Sequence, residues 1–164
     1  MLATPMIGTV MAGKGQEKLE FLLHVEGNPT PIPPPDKVWE AGVTAHMRGA
    51  NFMVLGDLFV QVGAETIPQE CLSYVAKLDL NSNTKHGTYV LTANEVITIY
   101  TDESQTVERG TLELKSLSYN PAFNGATFVG FGTGEFEGVK LHGTSTGVTV
   151  NSVLVIDRIG TAMG

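Results

Sequence analysis

The chain has 164 residues, 17 acidic against 10 basic side chains for a formal charge of −7, 19 glycines and a single cysteine. A chain of that length buries roughly 70% of its unfolded surface as one domain, so residues 1–164 are read as a single domain that needs no staple. Cys71 has no internal disulfide partner, the histidines lie without cysteines at ligand spacing, and Arg48, Arg109 and Arg158 are scattered, which excludes a disulfide scaffold, a metal site and a nucleic-acid patch.

At the start of the chain no basic leader precedes an apolar region, and no run approaches the ~20 apolar residues of a membrane-spanning helix. The expectation is a soluble protein without a membrane span, cytoplasmic from the chain as given and secreted if a leader has been removed. The first strand is expected at Leu19 to Val25, where Leu19, Phe21, Leu23 and Val25 share one apolar face while Glu20 and His24 face away. The proline run from Pro29 to Lys37 then reads as an extended, polyproline-like connection.

Further strands are expected at Val38 to Arg48, Asn51 to Val62, Cys71 to Leu80, Gly87 to Thr92, Glu95 to Thr101 and Thr106 to Leu117. Ala126 to Phe131, Glu135 to Thr144 and Val148 to Ile156 complete the set. Gly49, Gly63 with Pro68, Asn81 to Lys85, Asp102 to Gln105 and Asn120-Pro121 supply the turns between them. The run from Asn120 to Gly143 punctuates two strand-like stretches with Gly130, Gly132, Gly134 and Gly138, and reads as a barrel hairpin. Close-spaced strands without helices between them give an all-β, antiparallel sheet. Closure into a single barrel of about eight strands removes its edges, with a sandwich as the alternative. A barrel of that size can enclose one small ligand in a largely apolar interior.

Two segments, LEFLLHVEGNPT at Leu19 to Thr30 and GTLELKSLSYNPAFNGATFVGFGTGEFEGVKLHG at Gly110 to Gly143, resemble dirigent proteins, whose barrel is shared with allene oxide cyclases. The first is similar to the family's opening strand. The second carries a Gly-Thr-Leu start, an Asn-Pro and the Gly-Thr-Gly-Xaa-Phe turn at Gly132 to Phe136. Together they cover somewhat more than a quarter of the chain, and KHGTYVLTA at Lys85 to Ala93 is faintly similar to a Gly-Xaa-Tyr strand. The resemblance implies an eight-stranded barrel, a homo-oligomer (trimer or dimer), no cofactor, and an apolar pocket that holds a phenolic or lipid-like molecule and dictates which stereoisomer forms.

Carried over by position, the resemblance places the family's tyrosine on Tyr89 and its pocket arginine nearest Lys140, which offers a point charge instead of a planar fork. Where the family has an acid after the histidine, this chain has Val25, with Glu26 one position later. Glu26 reaches the lumen only if a bulge at Glu26-Gly27 re-aims it. Lys140, Tyr89 and Glu26 are therefore the candidate catalytic residues, and Phe21, Leu23, Val25 and Phe136 the candidate ligand-binding ones.

Each has a plainer reading. His24, together with Glu40, Thr44, His46 and Arg48, reads as solvated strand face, Tyr89 as cross-strand packing, Lys140 as a snorkelling stem, and Glu135 with Glu137 as an outer face. Two function classes stay open: a barrel that steers a coupling or cyclisation of a small hydrophobic or phenolic molecule, as a dirigent protein or a cyclase does, and a non-catalytic ligand-binding or structural barrel. A buried Lys or Glu beside an aromatic in the lumen favours the first, and a uniformly apolar lumen the second.

Overall fold

Alternation of apolar and polar residues decides the architecture, because each strand has one face to bury. A computed structural model describes residues 18–32, 37–41, 44–83, 85–120, 125–150 and 153–164. Among them are β1 (Lys18–Ile32), β2 (Lys37–Ala41), β3 (Thr44–Leu55), β4 (Leu58–Val62), β5 (Glu65–Ile67), β6 (Leu72–Asn83), β7 (Thr88–Tyr100), β8 (Glu108–Ser118), β9 (Ala126–Gly132), β10 (Lys140–Val150) and β11 (Val153–Met163). The described helical residues are confined to two single 3-10 turns, Gln69–Cys71 and Gly134–Phe136. No described helix is long and apolar enough to cross a membrane.

The strands form one curled antiparallel sheet in the order β2-β3-β6-β7-β8-β9-β10-β11-β1-β4-β5. Strand β1 makes a further pairing with β3, from Asn28↔Leu55 to Ile32↔Asn51, and pairs with β4 from Val25↔Leu58 to Phe21↔Val62. Both pairings keep the same register, so β3 and β4 behave as one long strand kinked at Gly56. That kink needs glycine. Gly56 has φ 140°, and a Cβ there would collide with the Glu26 carbonyl oxygen, while the Glu26 N–H donates to the Asp57 carbonyl at 2.7 Å.

The all-β, antiparallel expectation holds, with particular differences. Eleven strands rather than about eight make up the described sheet. Gly87 to Thr92 and Glu95 to Thr101 are one strand, β7, because Ala93 and Asn94 stay in register with Leu78 and Lys77 of β6 instead of turning. Val148 to Ile156 is split, since β10 and β11 pair continuously up to Val150↔Val153. Strand β1 runs on through Pro29 and Pro31 to Ile32, and residues 33–36 of the expected proline connection lie outside the described ones.

The Asn120 to Gly143 segment is the β9–β10 hairpin, although Pro121 lies outside the described residues and Glu135 begins no strand. Gly134–Phe136 forms a 3-10 turn instead, and the Gly132 N–H donates to the Val139 carbonyl at 2.9 Å. This turn tucks Phe136 into the core beneath the Arg109 guanidinium, 5.5 Å from the ring centre. Arg109 is held there by Glu65 and Glu135, each at 3.0 Å.

The inner face divides into two halves. At one end large side chains, including Phe21, Leu23, Val60, Ile97, Ile99, Leu112, Phe128 and Leu141, fill it almost completely. Phe21 and Phe128 meet with tilted rings 5.7 Å apart. Each such side chain contributes about 1.5–3 kcal/mol by leaving water. At the other end several inward positions are small: Ala76, Ala93, Ser116, Ser118, Ala126, Ser145 and Gly147 are all buried, and they leave space among the larger Tyr74, Leu78, Leu91, Ile156 and Arg158. A cavity results from this change in side-chain size, not from any break in the sheet.

Candidate functional site

The cavity occupies about 110 Å³ and is walled by Val25, Phe52, Ala76, Leu78, Leu91, Ala93, Ala126 and Ile156. Its polar atoms come from Tyr74, Ser116, Ser118, Ser145 and Arg158. The strand register explains why they converge. Glu95 on β7 lies opposite Ala76 of β6 and Leu114 of β8, and Ser145 on β10 lies directly opposite Arg158 of β11. All of these side chains point to the inner face by the same alternation that buries their apolar neighbours.

Glu95 is 1% exposed, and three donors surround its carboxylate. Arg158 Nη2 donates to Oε1 at 2.6 Å, Ser116 Oγ donates to Oε1 at 2.7 Å, and the Tyr74 hydroxyl donates to Oε2 at 2.9 Å. Arg158 Nε also reaches Ser116 Oγ at 3.4 Å. A buried carboxylate with this many donors avoids the penalty of an uncompensated charge. Burial, and then the neighbouring Glu95 charge, push the Tyr74 phenol well above its ordinary value, so it remains a neutral donor across the physiological range. For Arg158 burial acts to lower the pKa, but the charges and hydrogen bonds of Glu95 and Tyr74 together outweigh it and the guanidinium is held in its charged form.

Two polar atoms in this layer have no hydrogen-bond partner although both are buried: Arg158 Nη1 and Ser145 Oγ. Native proteins leave few such atoms, and each calls for an explanation. Here both lie on cavity-lining residues that face one another across the β10–β11 ladder.

The residues singled out from sequence are placed as follows. Val25 lines the cavity, whereas Phe21, Leu23 and Phe136 belong to the filled half of the core. Glu26 does not turn to the inner face of the sheet: β1 keeps an unbroken register against β11 from Lys18↔Met163 to Gly27↔Leu154, so no bulge re-aims it. It stands on the outer face beside His24, with Oε2 3.4 Å from Nε2. Lys140 is also outside, because the inward positions of β10 are Leu141, Ser145 and Gly147, and an even-numbered residue there faces solvent. Tyr89 shares the face of Leu91 and Ala93 but sits half-buried at the end of β7, outside the cavity wall. Burial raises its pKa.

His24 is not an idle surface residue. Its Nδ1 lies 2.6 Å from Asp157 Oδ1, and its ring stacks on Phe59 at 5.2 Å. Glu135 and Glu137 are exposed, and Glu135 is engaged by Arg109. The side chains of Glu40, Thr44, His46 and Arg48 lie outside the described residues. Among the described residues no group of three or more His, Cys, Asp and Glu could hold a metal ion.

The buried acid, arginine and tyrosine of the inner face are Glu95, Arg158 and Tyr74, while Glu26 and Lys140 stand on the outer face and Tyr89 at the end of β7. Comparison of the chain with protein-family models, with curated proteins and with solved structures finds no match.

Proposed function

We propose that the protein is a dirigent- or cyclase-like barrel that takes a small hydrophobic molecule into its lumen and fixes the stereochemical outcome of a coupling or cyclisation. On this reading β1, β3 with β4, β6, β7, β8, β9, β10 and β11 close into an eight-stranded barrel through the β1–β3 pairing. One observation carries the proposal: Arg158 and Tyr74 on the wall of a largely apolar cavity are tied together by the buried Glu95 carboxylate behind them. A storage or scaffolding barrel has no use for such a layer, because burying an ion pair gains little stability over apolar residues of similar volume.

The physical chemistry suits steering without a resident redox centre. The apolar wall holds a flexible molecule in few conformations, which lowers the entropy lost on reaching the reactive one. Tyr74 and Arg158 Nη2 are committed to Glu95, and the partnerless Arg158 Nη1 is the preorganised donor of the layer, in a site of low dielectric where it polarises an acceptor oxygen more strongly than a water-exposed group does. Self-association as a trimer or dimer is part of the same proposal, supported by the exposed Val129, Phe131 and Ile159 on the outer face.

The test is chiral analysis of product formed with and without the protein. Phenolic substrates are supplied with an external one-electron oxidant, and unsaturated epoxides are supplied alone. Enrichment of one enantiomer that Glu95→Gln and Tyr74→Phe reduce supports the proposal. Racemic product in every case, with the folded protein present in excess, refutes it.

A further inference from the structure

We infer that the cavity contains a subsite for one neutral acceptor oxygen, a ketone, ester, ether or epoxide oxygen, held jointly by Arg158 Nη1 and Ser145 Oγ. The inference rests on the proposed reading of the cavity as a ligand site and specifies what the ligand must carry. Both atoms are buried without a partner, and their residues are 4% and 2% exposed. They are cross-strand partners with Cβ atoms about 5 Å apart on the same inner face, and both residues line the cavity. A buried donor left unmade is costly, roughly 1–3 kcal/mol, so an acceptor brought by a ligand gains what the empty site lacks.

The charge of the layer selects among acceptors. Among the described residues Arg158 is the only cation lining the cavity, and Nη2 already faces the Glu95 carboxylate at 2.6 Å. A ligand carboxylate would meet a guanidinium whose charge is compensated and would stand near a second carboxylate in a site of low dielectric. Losing its hydration there is not repaid. A neutral oxygen loses far less on leaving water and still takes the free N–H. The serine hydroxyl rotates to donate to the same atom. Size adds a second restriction: a pocket of about 110 Å³ is near the scale at which an apolar cavity admits a single benzene-sized ring. The part of the ligand seated here is therefore one small ring or a short branched chain bearing the oxygen.

Three probes of similar size separate the possibilities: acetophenone, benzoate and ethylbenzene, each titrated calorimetrically into the full chain and into Ser145→Ala. Because Ser145 Oγ has no partner, its removal is expected to leave unliganded stability unchanged or slightly higher, so the variant folds. The subsite predicts that Ser145→Ala weakens acetophenone about 3- to 10-fold and leaves ethylbenzene unaltered. It also predicts that benzoate binds at least about tenfold more weakly than acetophenone. Acetophenone affinity that Ser145→Ala does not change, or benzoate as the tightest of the three, overturns the subsite while the cavity remains a ligand site. Failure of all three probes to bind overturns the ligand-binding reading and the subsite together.

Discussion

Replacing Arg158 by Met keeps most of the stem volume but removes the guanidinium from the inner layer. Glu95, 1% exposed in the parent, then retains the Tyr74 and Ser116 hydroxyls, at 2.9 and 2.7 Å, and loses its cationic partner among the described residues. Breaking a buried pair from one side typically costs about 3–5 kcal/mol, because the remaining charge is uncompensated. In a domain of this size each kcal/mol lowers the melting temperature by roughly 2–4 °C, so Arg158→Met should melt about 6–20 °C below the parent. The double variant Arg158→Met with Glu95→Gln removes the stranded charge; the glutamine carbonyl accepts from one of the two hydroxyls and its NH2 donates to the oxygen of the other. It should recover most of the loss, with a coupling of about 1–3 kcal/mol between the two positions. Urea unfolding of the parent, both single variants and the double variant measures this directly. A cost below about 1 kcal/mol for Arg158→Met, or strictly additive effects, would refute the claim that these side chains form one buried charged unit.

Other outcomes follow from the same geometry. For His24 partial burial acts to lower the pKa, but hydrogen bonds and charges from Asp157 and Glu26 outweigh it and raise it above the ordinary 6.5. A raised folded value contributes stability that is complete below the unfolded value and is lost as pH rises through the folded one. Urea unfolding should therefore show stability falling as pH climbs above about 6.5, and Asp157→Asn should flatten that slope. Phe128→Ala, at a 2% exposed position packed on Phe21, should cost about 3–5 kcal/mol by the same assay. Lys140→Met and Glu26→Gln, on the outer face, should leave acetophenone affinity unchanged, and a loss above about threefold in either would place the site elsewhere.

The fold was legible because alternation is a strong local signal, and the site was less so because it depends on where strands end. Leu91, Ala93, Glu95, Ile97 and Ile99 form one buried row, in which a carboxylate is the conspicuous member. Treating Ala93 and Asn94 as a break put Glu95 at the start of a strand, where an acid looks unremarkable. Arg158 was hidden in the same way: ending the last strand at Ile156 left it beyond the sheet, although Ile156, Arg158 and Ala162 share one buried face. The family resemblance directed attention to Glu26 and Lys140 by position along the chain. Strand parity, which puts Val25 inside and Lys140 outside, overrides it. Nothing local distinguishes Ser145 from Thr144 or Thr146. Only the pairing Ser145↔Arg158 sets it against the guanidinium.

Nuclear Overhauser contacts between the protein and bound acetophenone decide whether a small oxygen-bearing molecule sits inside the sheet against the Arg158 and Tyr74 side chains. Contacts are expected from the probe to the Ala76, Ala93 and Ala126 methyl groups and the Tyr74 ring, with the Arg158 side-chain N–H signals shifted on binding. Contacts to Val96, Val129 and Phe131 on the outer face instead, with the Arg158 signals unmoved, would contradict that placement.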